Sequence, residues 1–243
     1  MRVGLCDSGL GGLAVLKEIR KKYPNNDYIY IGDNKNIPYG NKNHNELLLL
    51  GQNLINFLEE KEVDLIIVAC GTLSSNVINE IKSKTKLQDI ITPTINYINN
   101  KIKKEITVFA TTSTINTHIF KNNLKYGALE IACPEFVPMI EENKIDEKII
   151  KNKIPNNNII VLGCTHYGLI ENIIPNKCIN MGKVIELSEN KGNGTIDIYF
   201  TDKLKVDIKN IIDGEVKYAR ITRSWNCKRN IKEKNIKSKN YWN

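Results

Sequence analysis

The chain has 243 residues, of which 41% are hydrophobic, so it can form a sizeable core in one domain or two small ones. No apolar run approaches the roughly 18 residues that a membrane span needs, and the segment MRVGLCDSG lacks the hydrophobic region of a signal peptide. Six cysteines in a chain of this length exclude a small disulfide scaffold. We therefore expect a soluble cytoplasmic protein with no membrane partner.

The net charge of +8 falls almost entirely at one end of the chain. Positions 220 to 243 contain eight Lys and Arg residues and one Glu, so this segment carries +7. A like-charged polar terminus is usually solvated, and this one has no recognisable nucleic-acid-binding module. We expect residues 223–243 to form a disordered tail, and we predict no nucleic-acid partner.

Strand and helix signals alternate along the first part of the chain. The runs RVGLCD, DYIYIGD and VDLIIVAC are typical of strands, and GGLAVLKEIRKKY and NELLLLGQNLINFLEEKE have helical spacing. A third helix is predicted over residues 74–85, SSNVINEIKSKT, with Ser at its start. Strands that alternate with helices predict an α/β fold with a helix-covered parallel sheet.

The same pattern then starts again. EITVFATTST and EIACPEFVPMIEEN each predict a strand followed by a loop, with the helical segment INTHIFKNNLKY between them. IIVLGCTHYGLIENII predicts a strand, a loop and a helix, and TIDIYFT predicts a further strand. The second half therefore repeats the first in outline. We predict one α/β domain over residues 1–92, completed by about 188–222, and a second over residues 93–187.

Two cysteines occupy similar places in the two halves. Cys70, in VDLIIVACGT, and Cys164, in IIVLGCTHY, each follow an apolar strand, and groups beyond the carboxyl ends of parallel strands are the ones that touch ligands. Two thiols that face one substrate can remove a proton from one side and return it to the other. His166 shares a loop with Cys164 and can stabilise its thiolate or carry its proton. The other four cysteines are interpreted as buried and inert, and no Cys or His spacing indicates a metal site.

A glycine-rich turn leaves an alternative open. Gly9, Gly11 and Ala14 give the pattern G-x-G-x-x-A after a strand, and Asp33 ends the next strand, as in dinucleotide-binding proteins. Against this, Asp7 stands where a phosphate would approach and would repel it. Backbone N–H groups at the start of a helix bind anions in general, so a substrate carboxylate suits this turn as well as a phosphate does.

Five segments, in order, carry a resemblance to a known family: DSGLGGLAVLKEIRK, GDNKNIPYG, VACGT, CPEFVPMIE and LGCTHY. They resemble the signature segments of glutamate racemases, within the cofactor-independent aspartate/glutamate racemase superfamily, over about residues 1 to 175. The resemblance implies two pseudo-symmetric parallel-sheet α/β domains with the active site between them. It further implies interconversion of L- and D-glutamate for peptidoglycan, glutamate as the small-molecule partner, no cofactor or metal, and a chain that can form a homodimer.

The resemblance also assigns roles to single residues. Cys70 and Cys164 would be the two acid/base thiols, with Asp7 paired to Cys70, His166 paired to Cys164, and Glu141 assisting on the second side. The substrate-binding residues that it implies are Asp7, Ser8, Pro38, Tyr39, Gly40, Gly71, Thr72, Thr114, Thr165 and His166.

One position departs from the family pattern. The family has Asn after the first catalytic cysteine, whereas this chain has Gly71. The loss of an amide that would contact the substrate leaves two alternatives: a racemase of another acidic amino acid such as aspartate, or a weakly active paralogue. From the sequence alone, we expect that replacing Gly71 by Asn would raise kcat/KM for glutamate.

Overall fold

The computed structural model describes residues 1–156, 159–188, 192–212 and 217–221. Within these ranges the strands are β1 (Arg2–Asp7), β2 (Asp27–Gly32), β3 (Leu65–Val68), β4 (Lys86–Asp89), β5 (Ile106–Ala110), β6 (Ala128–Ala132), β7 (Ile160–Leu162), β8 (Cys178–Asn180), β9 (Ile196–Phe200) and β10 (Lys217–Arg220). They form two sheets in which every neighbouring pair is parallel: a first sheet in the order β10-β9-β2-β1-β3-β4 and a second in the order β6-β5-β7-β8.

Helices connect the strands. The α-helices of the described ranges are α1 (Gly11–Lys22), α2 (His44–Glu60), α3 (Gly71–Asn76), α4 (Ile91–Lys101), α5 (Thr112–Asn116), α6 (Ile119–Asn123), α7 (Phe136–Glu141) and α8 (Glu147–Lys153). Short 3-10 helices cover Tyr39–Asn41, Thr165–Ile173, Met181–Val184 and Ile208–Asn210. None of the helices in this part of the chain is long and apolar enough to cross a membrane.

The two sheets repeat one topology. The order β2-β1-β3-β4 in the first sheet corresponds to β6-β5-β7-β8 in the second. In each order the chain places its second strand on one side of the strand that comes first in sequence, β1 or β5, and its third strand on the other side. This reversal opens a crevice at the carboxyl ends of the two central strands. Cys70 comes two residues after β3 and Cys164 two residues after β7. The predicted α/β fold with two pseudo-symmetric parallel sheets is thereby confirmed.

The central strands form because their residues are apolar and buried on both faces, as parallel sheets between helices require. All four residues of β3 and all five of β5 are buried. One cluster of buried side chains contains Leu5 from the first sheet and Val108 from the second, so the two sheets share a core. β9 pairs with β2, so a segment from beyond position 188 extends the first sheet. The domain boundaries themselves remain a prediction.

The third predicted helix is wrong in its position. The sequence predicts it over residues 74–85, whereas α3 begins at Gly71 and ends at Asn76. Its polar side chains bond the backbone: the Ser75 hydroxyl and the Asn76 amide both donate to the Thr72 carbonyl oxygen. Such bonds compete with helix propagation and favour an early end. The chain then forms β4, an edge strand that the sequence did not predict.

The second sheet has similar local differences. The predicted helix over residues 115–126 is divided into α5 and α6 at His118, which has a left-handed backbone with φ of 53°. The predicted loop after β6 contains α7, whose residues Phe136, Val137 and Ile140 are buried. The segment after Cys164 is a 3-10 helix. The tail predicted over residues 223–243 lies outside the described residues.

Candidate active site

A small cavity lies between the carboxyl ends of the two sheets. Its volume is about 20 Å³, which is room for about one water molecule. The residues that line it are Ser8, Pro38, Tyr39, Gly40, Asn41, Cys70, Thr72, Thr111, Thr112, Pro134, Val137, Cys164, Thr165 and His166. Because both cysteines line it, the structure brings together the two thiols that the sequence singled out.

Cys70 is a buried thiol beside a carboxylate. Its side chain is 3% exposed. Burial raises the pKa of Cys70, and the charge of Asp7 raises it further. Hydrogen bonds from the Leu73 backbone N–H and the Ser8 hydroxyl act in the opposite direction without cancelling these effects. The Cys70 thiol is therefore held in its protonated form, ready to donate a proton.

Cys164 lies beside an imidazole instead of a carboxylate. This imidazole, of His166, contacts the Glu141 carboxylate on its other side. The Cys164 Sγ atom is 3.8 Å from His166 Nδ1, and His166 Nε2 is 2.6 Å from Glu141 Oε1. Burial lowers the pKa of His166, but the bonds to Cys164 and Glu141 outweigh burial and raise it well above its ordinary value. The imidazole is therefore held in its charged form beside the Cys164 sulfur atom.

The glycine-rich turn after β1 contacts this second group directly. The Leu10 backbone N–H donates to Glu141 Oε1 at 2.7 Å. A Cβ atom on Gly11 would lie 2.5 Å from the Nδ1 atom of His166, and one on Gly9 would collide with the Glu141 carboxylate. The glycines are thus required by the close approach of the turn to His166 and Glu141, which accounts for the motif without a dinucleotide.

Asp7 links the two sheets. Its Oδ2 atom accepts hydrogen bonds from the backbone N–H groups of Gly9 and Gly12, and its Oδ1 atom accepts one from the Thr165 hydroxyl at 3.1 Å. Burial raises the pKa of Asp7, although the charge of His166 and these hydrogen bonds lower it. The carboxylate acts on Cys70 through its charge, and its predicted pairing with that thiol remains a prediction.

The loop after β2 is anchored by Asp33. This buried carboxylate accepts from the hydroxyls of Tyr39 and Thr201, both at 2.7 Å, and from the Asn36 amide. The anchored loop carries Pro38, Tyr39 and Gly40 to the cavity. Asp33 therefore fixes a wall of the site, and this gives it a function other than the ribose contact of the dinucleotide alternative.

Two threonines that follow β5 lie at or near the cavity. Thr114 does not line the cavity; its hydroxyl accepts from Thr111 Oγ1 at 3.1 Å and from the Ser75 hydroxyl at 3.2 Å. Thr111 lines the cavity instead, and its Oγ1 atom lies 3.0 Å from Thr72 Oγ1. The half-chain repeat contained the signal for Thr111, because this residue follows β5 just as the Asp7 turn follows β1.

Gly71 also lies outside the lining, and it faces the backbone of Gly163. The cavity wall further includes Asn41, Thr112, Pro134 and Val137, which the sequence did not indicate. Among the described residues, no group of three or more His, Cys, Asp or Glu side chains could hold a metal ion.

Two pseudo-symmetric parallel sheets, with a thiol at the same crevice of each and both thiols on one cavity, form the arrangement that the resemblance to cofactor-independent racemases implies. No protein-family model matches the chain. The glutamate racemase of Aquifex aeolicus is 34% identical over 89% of this chain and 96% of its own length, and that of Fusobacterium nucleatum is 41% identical over 70% of each. The crystal structure of Francisella tularensis glutamate racemase with D-glutamate has a TM-score of 0.74 at 27% identity, covering 93% of this chain and 98% of that one. The chain belongs to the glutamate racemase family, as its sequence motifs indicated.

Proposed function

We propose that the protein interconverts L- and D-glutamate by proton transfer at Cα between two thiols, without a cofactor. The observation that carries the proposal is the equivalent placement of Cys70 and Cys164, two residues beyond β3 and β7, on one cavity between the sheets. Two bases on opposite sides of one carbon can invert it, because one removes the proton while the other supplies a new one. The catalytic residues are Cys70, Cys164, Asp7, His166 and Glu141.

The surroundings of the thiols support different starting states. His166, charged through Glu141, stabilises a Cys164 thiolate that takes the Cα proton, and the protonated Cys70 thiol donates to the other side. After a turnover the roles are reversed. The ammonium group of the substrate would offset the negative charge of Asp7 near Cys70 and so ease deprotonation of that thiol in the reverse reaction.

Hydroxyls and backbone N–H groups around the cavity suit a substrate with two carboxylates. Ser8, Thr72 and Thr165 line the cavity together with Tyr39 and Gly40, and we propose that they bind these groups. Charge that develops on the α-carboxylate as the proton leaves is stabilised by such preorganised donors.

The relatives named above support glutamate rather than aspartate. Both sequence relatives are glutamate racemases, and the Francisella tularensis structure holds D-glutamate. We therefore propose glutamate as the substrate, with aspartate as the alternative that Gly71 leaves open. D-Glutamate for peptidoglycan synthesis, a cytoplasmic location and a homodimer fit this proposal.

The test is loss of circular dichroism of L-glutamate and, in parallel, of L-aspartate, with purified protein and no added cofactor. In deuterium oxide, nuclear magnetic resonance should show deuterium at Cα of the product. Cys70→Ser and Cys164→Ser should each reduce racemisation by about 10²–10⁴-fold or more, the usual contribution of a general acid or base. Cys178→Ser is the control, because that thiol is at β8 and outside the cavity.

Racemisation by either single active-site variant at close to the wild-type rate would refute the two-thiol mechanism. Turnover of aspartate without turnover of glutamate would refute the proposed substrate and leave the reaction class intact.

A further inference from the structure

The backbone segments that carry the two thiols touch at one point. Gly71, directly after Cys70, faces the carbonyl oxygen of Gly163, directly before Cys164. A Cβ atom on Gly71 would lie 2.6 Å from that oxygen and 3.8 Å from the Cys164 Cα atom. Real Cβ atoms essentially never approach another heavy atom within 3.0 Å. Only glycine at position 71 allows the two segments to approach this closely.

Neither segment can retreat alone. The Gly163 backbone N–H donates to the Phe109 carbonyl oxygen at 2.8 Å, so Gly163 is tied to β5. On the other side, the Ser74 backbone N–H donates to the Cys70 carbonyl oxygen at 3.0 Å, and the Ser74 hydroxyl donates to Val68. A side chain at position 71 would therefore push the two sheets apart together with their thiols.

We propose that Gly71 is a positioning residue that sets the separation of Cys70 and Cys164 across the cavity. This inference rests on the proposed two-thiol racemisation, in which both sulfur atoms must reach one carbon from opposite sides. The adjacent Thr72–Thr111 contact, at 3.0 Å, joins the same two sheets. The sheets therefore touch at two successive residues, Gly71 and Thr72. A displacement of about 1 Å of reacting groups can cost about 10²-fold in rate.

The proposal reverses the expectation from the sequence that Asn at this position would improve catalysis. Asn carries the same Cβ atom as Ala and meets the same backbone oxygen. Both Gly71→Ala and Gly71→Asn should therefore lower kcat.

The experiment compares the wild type with Gly71→Ala, Gly71→Asn and the control Gly51→Ala. Gly51 is buried in α2, and a Cβ atom there meets the ends of the Ile81 and Leu73 side chains, which can move. Three quantities are measured: kcat and KM for glutamate, the primary isotope effect with Cα-deuterated glutamate, and the rates at which a thiol reagent modifies Cys70 and Cys164, followed by peptide mass spectrometry.

Both variants at position 71 should lose about 10²-fold in kcat with a smaller change in KM. Their isotope effect on kcat should rise, because proton transfer becomes slower than other steps, and both thiols should be modified faster. Gly51→Ala should match the wild type in all three. If a position-71 variant does not fold, Gly163→Ala displaces the partner segment instead, since its Cβ atom would lie 3.0 Å from the carbonyl oxygen of Phe109 on β5. A shift of the Gly163 segment should give the same pattern with a smaller loss.

A kcat within twofold of wild type, or unchanged thiol modification in folded variants, would overturn the role of Gly71. The modification rates need no catalysis, so they still test the contact if the wild type fails to racemise glutamate. That failure would refute the proposed function separately.

Discussion

Replacing Glu141 by Gln tests whether the charge on His166 supports catalysis. The substitution keeps the shape of the side chain. One oxygen of Glu141, Oε1, accepts from both Leu10 and His166, and the carbonyl oxygen of Gln can accept in the same place. The variant therefore removes the negative charge with little change in geometry.

The expected loss of kcat/KM follows from the burial of the His166–Glu141 pair. The His166 side chain is 1% exposed and that of Glu141 is 8%, so solvent screens their 2.6 Å contact very little. A hydrogen bond to a charged group contributes about 1.5–3 kcal/mol. If the transition state requires the imidazolium, kcat/KM should fall about 10- to 150-fold.

The pH dependence of kcat/KM tests the same role of Glu141 and does not depend on the size of the loss. Glu141 raises the pKa of His166, both as hydrogen-bond acceptor and as charge. Its removal lowers that pKa, so the imidazolium is lost at lower pH. The alkaline limb of the kcat/KM profile should therefore shift to lower pH in the variant.

The assay is circular dichroism of glutamate across the pH range, with Glu142→Gln as the matched control. Glu142 is the neighbouring residue, exposed, and paired with Lys144 at the surface. The control should keep the wild-type rate and profile. Wild-type kcat/KM and an unmoved alkaline limb in Glu141→Gln would refute the role assigned to the carboxylate.

Two further residues support the site, one on β2 and one directly after it, and each has a matched control on that strand. Tyr30→Phe removes the hydroxyl that donates to the Gly9 carbonyl. It should lower kcat and destabilise the fold by about 1–3 kcal/mol, measured by urea unfolding, whereas Tyr28→Phe, which removes a hydroxyl bound to the Tyr23 carbonyl, should leave kcat unchanged. Asp33→Asn loosens the loop that carries Tyr39 and should raise KM for glutamate about tenfold with a smaller change in kcat, while Asp27→Asn, at the other end of β2, should leave KM unchanged. Equal kinetic effects within either pair would contradict the positioning roles.

The sequence predicted the central strands well because they are continuous apolar runs with a single interpretation. β4 was missed because KLQD is a polar edge strand, and β8 because three residues give no periodicity. The two thiols could be found because each follows a strong strand signal. The contact between Leu10 and Glu141 could not, since it joins positions 131 residues apart and depends on how the sheets pack.

The close approach of Gly71 to Gly163 was hidden for the same reason. The sequence showed that a side chain was missing at position 71, and this was interpreted as a lost substrate contact. Only the packed sheets show that the position has no room for a Cβ atom. A smaller residue within a site can therefore either remove a contact with the substrate or allow two backbone segments to approach each other. The tertiary structure distinguishes these two effects.

The scaffold is symmetric in its strands but not in the groups beside its thiols. Cys70 has a carboxylate nearby, whereas Cys164 has an imidazole held by a carboxylate. The two enantiomers of glutamate have equal free energies, so their equilibrium constant is unity and kcat/KM must be equal in both directions for every variant. The asymmetry can appear only in kcat and KM separately and in the isotope effects. Glu141→Gln should thus change the isotope effect more in the direction in which Cys164 removes the proton, and this direction identifies the face of glutamate that Cys164 serves.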